Sequence, residues 1–222
     1  MIPIKDENPT RRFPFVNTLL IIANVFIFLY QVFNPEMGEY IIKKFSMIPV
    51  IFFSDPINES YRLISYSFLH GGWFHIIGNM LFLYIFGDNV EDIFGHFWYL
   101  IFYILAASLG VLPQLLFSSF SDIPIVGASG AISGVILSYM LMFPLKNIVT
   151  LVFFGFFIVP VKIPALFYIG IWIITQISGS FVSILAPVQG GVAYLVHLGG
   201  IITGFIFTKV FLSSKRSRYK RI

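Results

Sequence analysis

Residues 193–204 read AYLVHLGGIITG, and this stretch decides the architecture. Ala193, His197, Gly200 and Gly204 follow one another at spacings of four, three and four, so they share one face of a helix. An imidazole inside an apolar helix is costly in hydrocarbon and asks for a partner. The small residues on its own face let another backbone approach it. Residues 127–134, GASGAISG, supply a matching surface, with Gly130 and Gly134 forming one G-x-x-x-G and Gly200 and Gly204 another. Close packing of these two seams predicts that Ser129 and His197 come within hydrogen-bonding reach.

The composition fits such a setting. Of 222 residues, 58% are hydrophobic and only 11% charged, with a mean hydropathy of +0.90. A soluble domain carries roughly 25% charged residues, so a water-soluble globule is excluded. At about 20 apolar residues per span, the chain has room for about six or seven membrane helices. The absence of cysteine from the sequence excludes disulfides, thiolate metal sites and a cysteine nucleophile. Six of the 14 Lys and Arg residues fall at Lys209, Lys215, Arg216, Arg218, Lys220 and Arg221, a pattern that reads as a cytoplasmic anchor on anionic lipid. No nucleic-acid motif is present.

Hydropathy predicts an all-α polytopic membrane protein with six spans at about Val16–Phe33, Phe68–Phe86, His96–Phe117, Gly127–Phe143, Pro164–Ile184 and Val192–Phe211. Asn34–Ser67 reads as an interfacial first loop. The first span lacks a small-residue cleavage site and reads as a retained helix. Pro160 and Pro164 cut the apolar run after Lys146, so Asn147–Ile163 reads as a cytoplasmic excursion lying against the bundle. With six spans both termini are cytoplasmic, and eleven Lys and Arg lie inside against Lys43, Lys44 and Arg62 outside. Seven spans would place the basic tail outside.

Polar residues at membrane depth gather in three places. HGGWFHIIGN places His70, His75 and Asn79 on the second span, with His75 and Asn79 on one face. His70 and His75 are poorly spaced for chelation and have no carboxylate beside them, so no metal is expected; gluing of neighbouring helices is the competing reading of each residue taken singly. GASG puts Ser129 at a helix N-terminus, among free N–H groups and the positive end of the dipole. His197 is the third. Counted at about 1.5 Å per residue, Ser129, His197 and His75 all lie about 18 to 21 Å from the cytoplasmic ends of their spans. Ser129 is a nucleophile candidate and His197 its base, and no acidic residue on the last three spans completes a triad. The Ser129 N–H, the Asn79 amide and the His75 imidazole are candidate oxyanion donors. No cofactor is implied.

The joint pattern H-x4-H-x3-N, G-A-S-G and H-L-G-G-x3-G resembles the rhomboid intramembrane serine proteases over nearly the whole chain, as do Val90-Glu91-Asp92 to Gly95 and Arg62 eight residues before His70. The resemblance implies that Ser129 is the nucleophile and His197 the general base, with His75 and Asn79 stabilising the oxyanion. It makes His70 a supporting residue of the same cluster, and Arg62 and Glu91 structural residues of the first loop and of the second-to-third loop. Gly127, Gly130, Gly200 and Gly204 are supporting residues, the last three of them in the seam. It further implies single-pass transmembrane protein substrates, cut near the outer membrane face after entry between the second and fifth spans. Ser183–Gly191 would then be a lid hinged at Gly190-Gly191.

The expected organisation is one rhomboid-like domain over residues 1–222, with a cytoplasmic tail 1–15, a six-helix core 16–211 and a basic tail 212–222. The expected location is a prokaryotic inner membrane. Two departures from the family pattern are Tyr61, where Trp is common, and Ser133, where an aromatic residue often stacks on the histidine. A catalytically inactive rhomboid-like protein that binds membrane segments is the alternative function. A small-solute transporter is disfavoured by the absence of internal repeats and of buried carboxylates.

Overall fold

The computed structural model describes residues 1–155, 157–185 and 191–219. Strand β1 (Ile2–Asp6) precedes the apolar helix α1 (Phe15–Phe33). The first loop folds into α2 (Pro35–Phe45), α3 (Pro49–Ser54) and the single turn α4 (Arg62–Ser65), which runs on into a 3-10 turn at Tyr66–Phe68. Then come α5 (Trp73–Phe94), α6 (His96–Gly110), α7 (Leu112–Phe117) and α8 (Ser129–Met142). Strands β2 (Asn147–Phe154) and β3 (Phe157–Pro164) lead into α9 (Ala165–Leu185) and α10 (Tyr194–Tyr219).

Among the described residues, four stretches are long and apolar enough to cross a membrane: Phe15–Phe33, His96–Phe117, Ala165–Leu185 and Tyr194–Ser214. Arg62–Phe68 with Trp73–Phe94 makes a fifth that is bent by 99°. Exposed apolar side chains such as Phe26, Phe74, Phe167 and Ile174 cover the outside of the helices, as expected where the solvent is lipid. The chain is a multi-pass integral membrane protein. α8 is short, 14 residues, and sits at the centre: every residue from Gly130 to Tyr139 is buried, against α5, α6 and α10.

The expectation of an all-α fold is corrected. β1, β2 and β3 form an antiparallel sheet in that order, so the stretch Asn147–Ile163 is a β-hairpin that the N-terminal strand completes. The reason is local: Ile148-Val149-Thr150-Leu151-Val152 is largely β-branched, which favours a pleated strand. Pro160 and Pro164 fall on β3, the outer strand, where a missing N–H costs no ladder bond. Asp6 ties the sheet to the bundle by accepting hydrogen bonds from the Tyr139 hydroxyl (2.7 Å) and Asn89 Nδ2 (3.1 Å).

The second span is also displaced. α5 starts at Trp73 and runs through the charged segment to Phe94, whereas hydropathy ended it at Phe86. Its polar end is satisfied by the fold: the two Glu91 oxygens accept the backbone N–H groups of Val16 (2.9 Å) and Asn17 (2.7 Å), and the carboxylate also bonds His96 Nδ1. A buried carboxylate thus caps the first turn of α1, where free N–H groups and the helix dipole favour negative charge. Gly95, at φ 79°, then allows the turn into α6. The third span breaks at Val111, because Pro113 lacks an N–H and starts the separate helix α7.

Candidate active site

α8 begins at Ser129, and the loop before it is fastened from two sides. Met47 and Ile125 pair as an isolated antiparallel bridge, and the Gly127 N–H donates to the Tyr66 carbonyl at 3.0 Å. The Tyr66 hydroxyl in turn donates to the Ala107 carbonyl of α6 at 2.9 Å. Ala128 accepts the first helical bond, from the Ile132 N–H, so the N–H groups of Ser129 and its next two neighbours have no intrahelical acceptor.

α10 and α8 make the most extensive helix pair of the bundle, through the two glycine seams. A Cβ on Gly200 would lie 1.9 Å from the Gly130 carbonyl oxygen, and one on Gly204 would lie 2.5 Å from that of Gly134. A Cβ on Gly130 would fall 2.7 Å from a Val196 methyl, so the residue after Ser129 packs on the residue before His197. Ser129 and His197 therefore occupy adjoining turns of these two helices, and both are half-buried. Two further glycines belong to the seam and were not among the expected residues. A Cβ on Gly199 would sit 2.3 Å from the Gly110 carbonyl oxygen of α6, so the Gly199-Gly200 pair is wedged between two neighbouring helices.

His75 and Asn79 reach the same place from α5. Gly127 has φ 122°, and a Cβ there would lie 2.6 Å from His75 Nε2 and 3.7 Å from Asn79 Nδ2. Both side chains thus border the backbone that leads into Ser129. Asn79 is buried, and its Nδ2 has no hydrogen-bond partner. An unpaired buried donor costs about 1–3 kcal/mol, so the fold leaves this amide unbonded at a cost beside the loop that enters α8.

His70 is displaced from its expected place on the second span. It lies before α5, at the Gly71-Gly72 bend, so its angular position on a helix has no meaning. It is 2% exposed, and its ring stands edge-on to His75, with centroids 5.1 Å apart. Arg62, also buried, holds the first loop: it pairs with Glu59 and donates from Nη1 to the carbonyls of Ser46 (2.5 Å) and Lys43 (3.2 Å). No group of three His, Asp or Glu residues is placed to hold a metal ion among the described residues. The lid expected at Ser183–Gly191 falls largely on residues 186–190, which lie outside the described residues.

The His197 ring packs on one residue of α9 and one of its own helix. The Trp172 ring stacks on it (centroids 6.4 Å, interplanar angle 28°), and Tyr194 meets it edge-on. The stacking partner missing at Ser133 is supplied from another helix, while the Ser133 hydroxyl donates to the Ser129 carbonyl at 2.6 Å. Gln176, one turn after Trp172, places its Oε1 2.7 Å from His197 Nδ1. Neither α9 residue was singled out by the sequence. The available signal was a lone amide at i, i+4 from an indole within an apolar span.

The fold and the site define a helical membrane protein in which a serine at a helix N-terminus adjoins a histidine across a glycine seam. The rhomboid domain matches residues 57–214, and the chain belongs to the rhomboid family. RHOMBOID-like protein 4 of Arabidopsis thaliana is 31% identical over 155 residues, 70% of this chain and 35% of that protein. The mitochondrial Rhomboid protein 1 of Saccharomyces cerevisiae is 27% identical over 158 residues, 69% of this chain and 42% of that protein. The chloroplastic Rhomboid-like protein 11 of Arabidopsis thaliana is 28% identical, over 70% of this chain and 53% of that protein. The chain thus spans about a third to a half of the length of these curated relatives.

Proposed function

We propose that this protein is an intramembrane serine endopeptidase that cuts single-pass transmembrane protein substrates with a Ser129–His197 dyad. One observation carries this reading: the glycine seam that sets the turn of Ser129 against the turn of His197, with His75 and the unpaired Asn79 amide bordering the same backbone. His197 takes the Ser129 proton as Oγ attacks the scissile carbonyl carbon. The resulting oxyanion accepts from the Ser129 N–H, His75 and Asn79. Collapse expels the amine, which takes the proton back from His197, and water repeats the sequence on the acyl-enzyme.

The topology that suits this chemistry has six spans, with the bent pair and the short central α8 each counted as one. Both termini are then cytoplasmic and the site opens toward the outer face. The chain acts as a single rhomboid-like domain, in a prokaryotic inner membrane. The test is cleavage of a reconstituted transmembrane substrate by wild type, Ser129→Ala and His197→Ala. Cleavage by wild type that is lost in both variants is expected. Persistence in Ser129→Ala overturns the nucleophile, and binding without cleavage by wild type selects the inactive rhomboid-like alternative.

A further inference from the structure

The dyad lacks a carboxylate, yet its histidine is not left to rotate. We propose that Gln176 is a positioning residue that fixes the tautomer of His197, an inference that rests on the Ser129–His197 reading. Three polar contacts fix the sense of the Gln176 amide. Gln176 Nε2 lies 3.3 Å from the Trp172 carbonyl oxygen and 2.9 Å from Thr175 Oγ1. A carbonyl only accepts, so the end of the amide that faces it is the NH2 group. The Thr175 hydroxyl donates its own proton to that same carbonyl at 2.6 Å, which leaves its lone pairs to accept from Gln176. Both contacts orient the amide in one sense.

Oε1 is thereby turned to His197, 2.7 Å from Nδ1. An amide oxygen is an acceptor, so Nδ1 carries the proton and Nε2 is a bare lone pair. That tautomer is the one a general base needs on the side away from Gln176. In a free imidazole no such choice is imposed. Gln176 is buried, 7% exposed, and the Trp172 ring lies across the imidazole, so ring rotation is also restrained. A neutral amide thus orients the base without placing a charge in the membrane, where an unpaired carboxylate is costly.

The experiment uses the full chain, labelled with 15N-histidine in lipid nanodiscs, with the His197 signals assigned by their loss in His197→Ala. Wild type, Gln176→Leu and Gln176→Glu are compared for the 15N tautomer signature, for kcat and KM on the reconstituted substrate, and for the pH dependence of kcat. Wild type is expected to show a protonated Nδ1 and a bare Nε2. Gln176→Leu should shift the tautomer toward Nε2–H and lower kcat about 10-fold or more with KM little changed. Gln176→Glu keeps an acceptor at Nδ1. It should restore the wild-type tautomer and move the acid limb of kcat to higher pH, because a carboxylate favours the imidazolium. A wild-type His197 protonated at Nε2, or a Gln176→Leu variant with unchanged tautomer, overturns the proposal. If wild type cuts nothing, the protease reading fails, while the 15N signature still decides the tautomer.

Discussion

The Cα of Gly200 faces the carbonyl oxygen of Gly130 so closely that a Cβ would stand 1.9 Å from it. The obstructing atom is backbone, fixed in a central buried helix, so no side chain can rotate away. Gly200→Ala should therefore separate α8 from α10, destabilise the fold by about 2–3 kcal/mol and abolish activity. Gly170→Ala on α9 is the control: nothing lies within 4 Å of that position, so it should be neutral or stabilising by about 0.5–1 kcal/mol. Thermal unfolding in detergent checks both, and equal melting points would contradict the close-packing account.

Asn79 contributes little to the resting fold, because its Nδ2 bonds nothing there. Asn79→Ala is expected to leave the melting temperature nearly unchanged while lowering kcat by about 10²-fold. An unaltered turnover number would remove this amide from the oxyanion site.

Glu91 accepts two backbone N–H groups at the start of α1 and also bonds His96. In Glu91→Gln one of these positions must become an NH2 group facing a donor. We expect a loss of about 2 kcal/mol, read by hydrogen exchange as faster opening of the first turn of α1. Unchanged protection there would show that the carboxylate is not the cap.

Asp6 titrates above its ordinary value of 3.8, chiefly because it is partly buried where β1 meets the bundle; the Tyr139 hydroxyl bond offsets this in part. For an acid raised on folding, the native state holds the proton longer than the unfolded chain. Stability therefore falls as pH rises from 3.8 through the raised native value, and is level above it. Asp6→Asn stays neutral throughout. Its melting temperature relative to wild type should increase across that interval; a difference that does not vary with pH would refute the assignment.

The placement of the candidate residues was largely legible in the sequence, because its signals were local. The small-residue stripes on α8 and α10, and the polar residues in apolar runs, follow from helical periodicity and from the cost of polarity in lipid. Glu91 and Arg62 were flagged only through resemblance, and their contacts could not be read from spacing. Gln176 and Trp172 were missed, since a residue's partner across a helix pair depends on rotation about the axis, which hydropathy does not encode. The sheet was missed for two reasons: Pro160 and Pro164 read as breaks although they lie on the outer strand, and β1, about 140 residues before β2, pairs with it only in the folded chain.

Composition and periodicity by themselves determined that this chain is a bundle of membrane helices and that one serine and one histidine lie on facing glycine seams, because apolar surface and small-residue spacing are properties of single segments. The tertiary structure alone decided which groups surround them: the amide and indole on His197, the wedge of Gly199 against Gly110, and the strand that closes the hairpin. These depend on the relative rotation and register of segments distant in sequence, fixed only when all the helices pack at once.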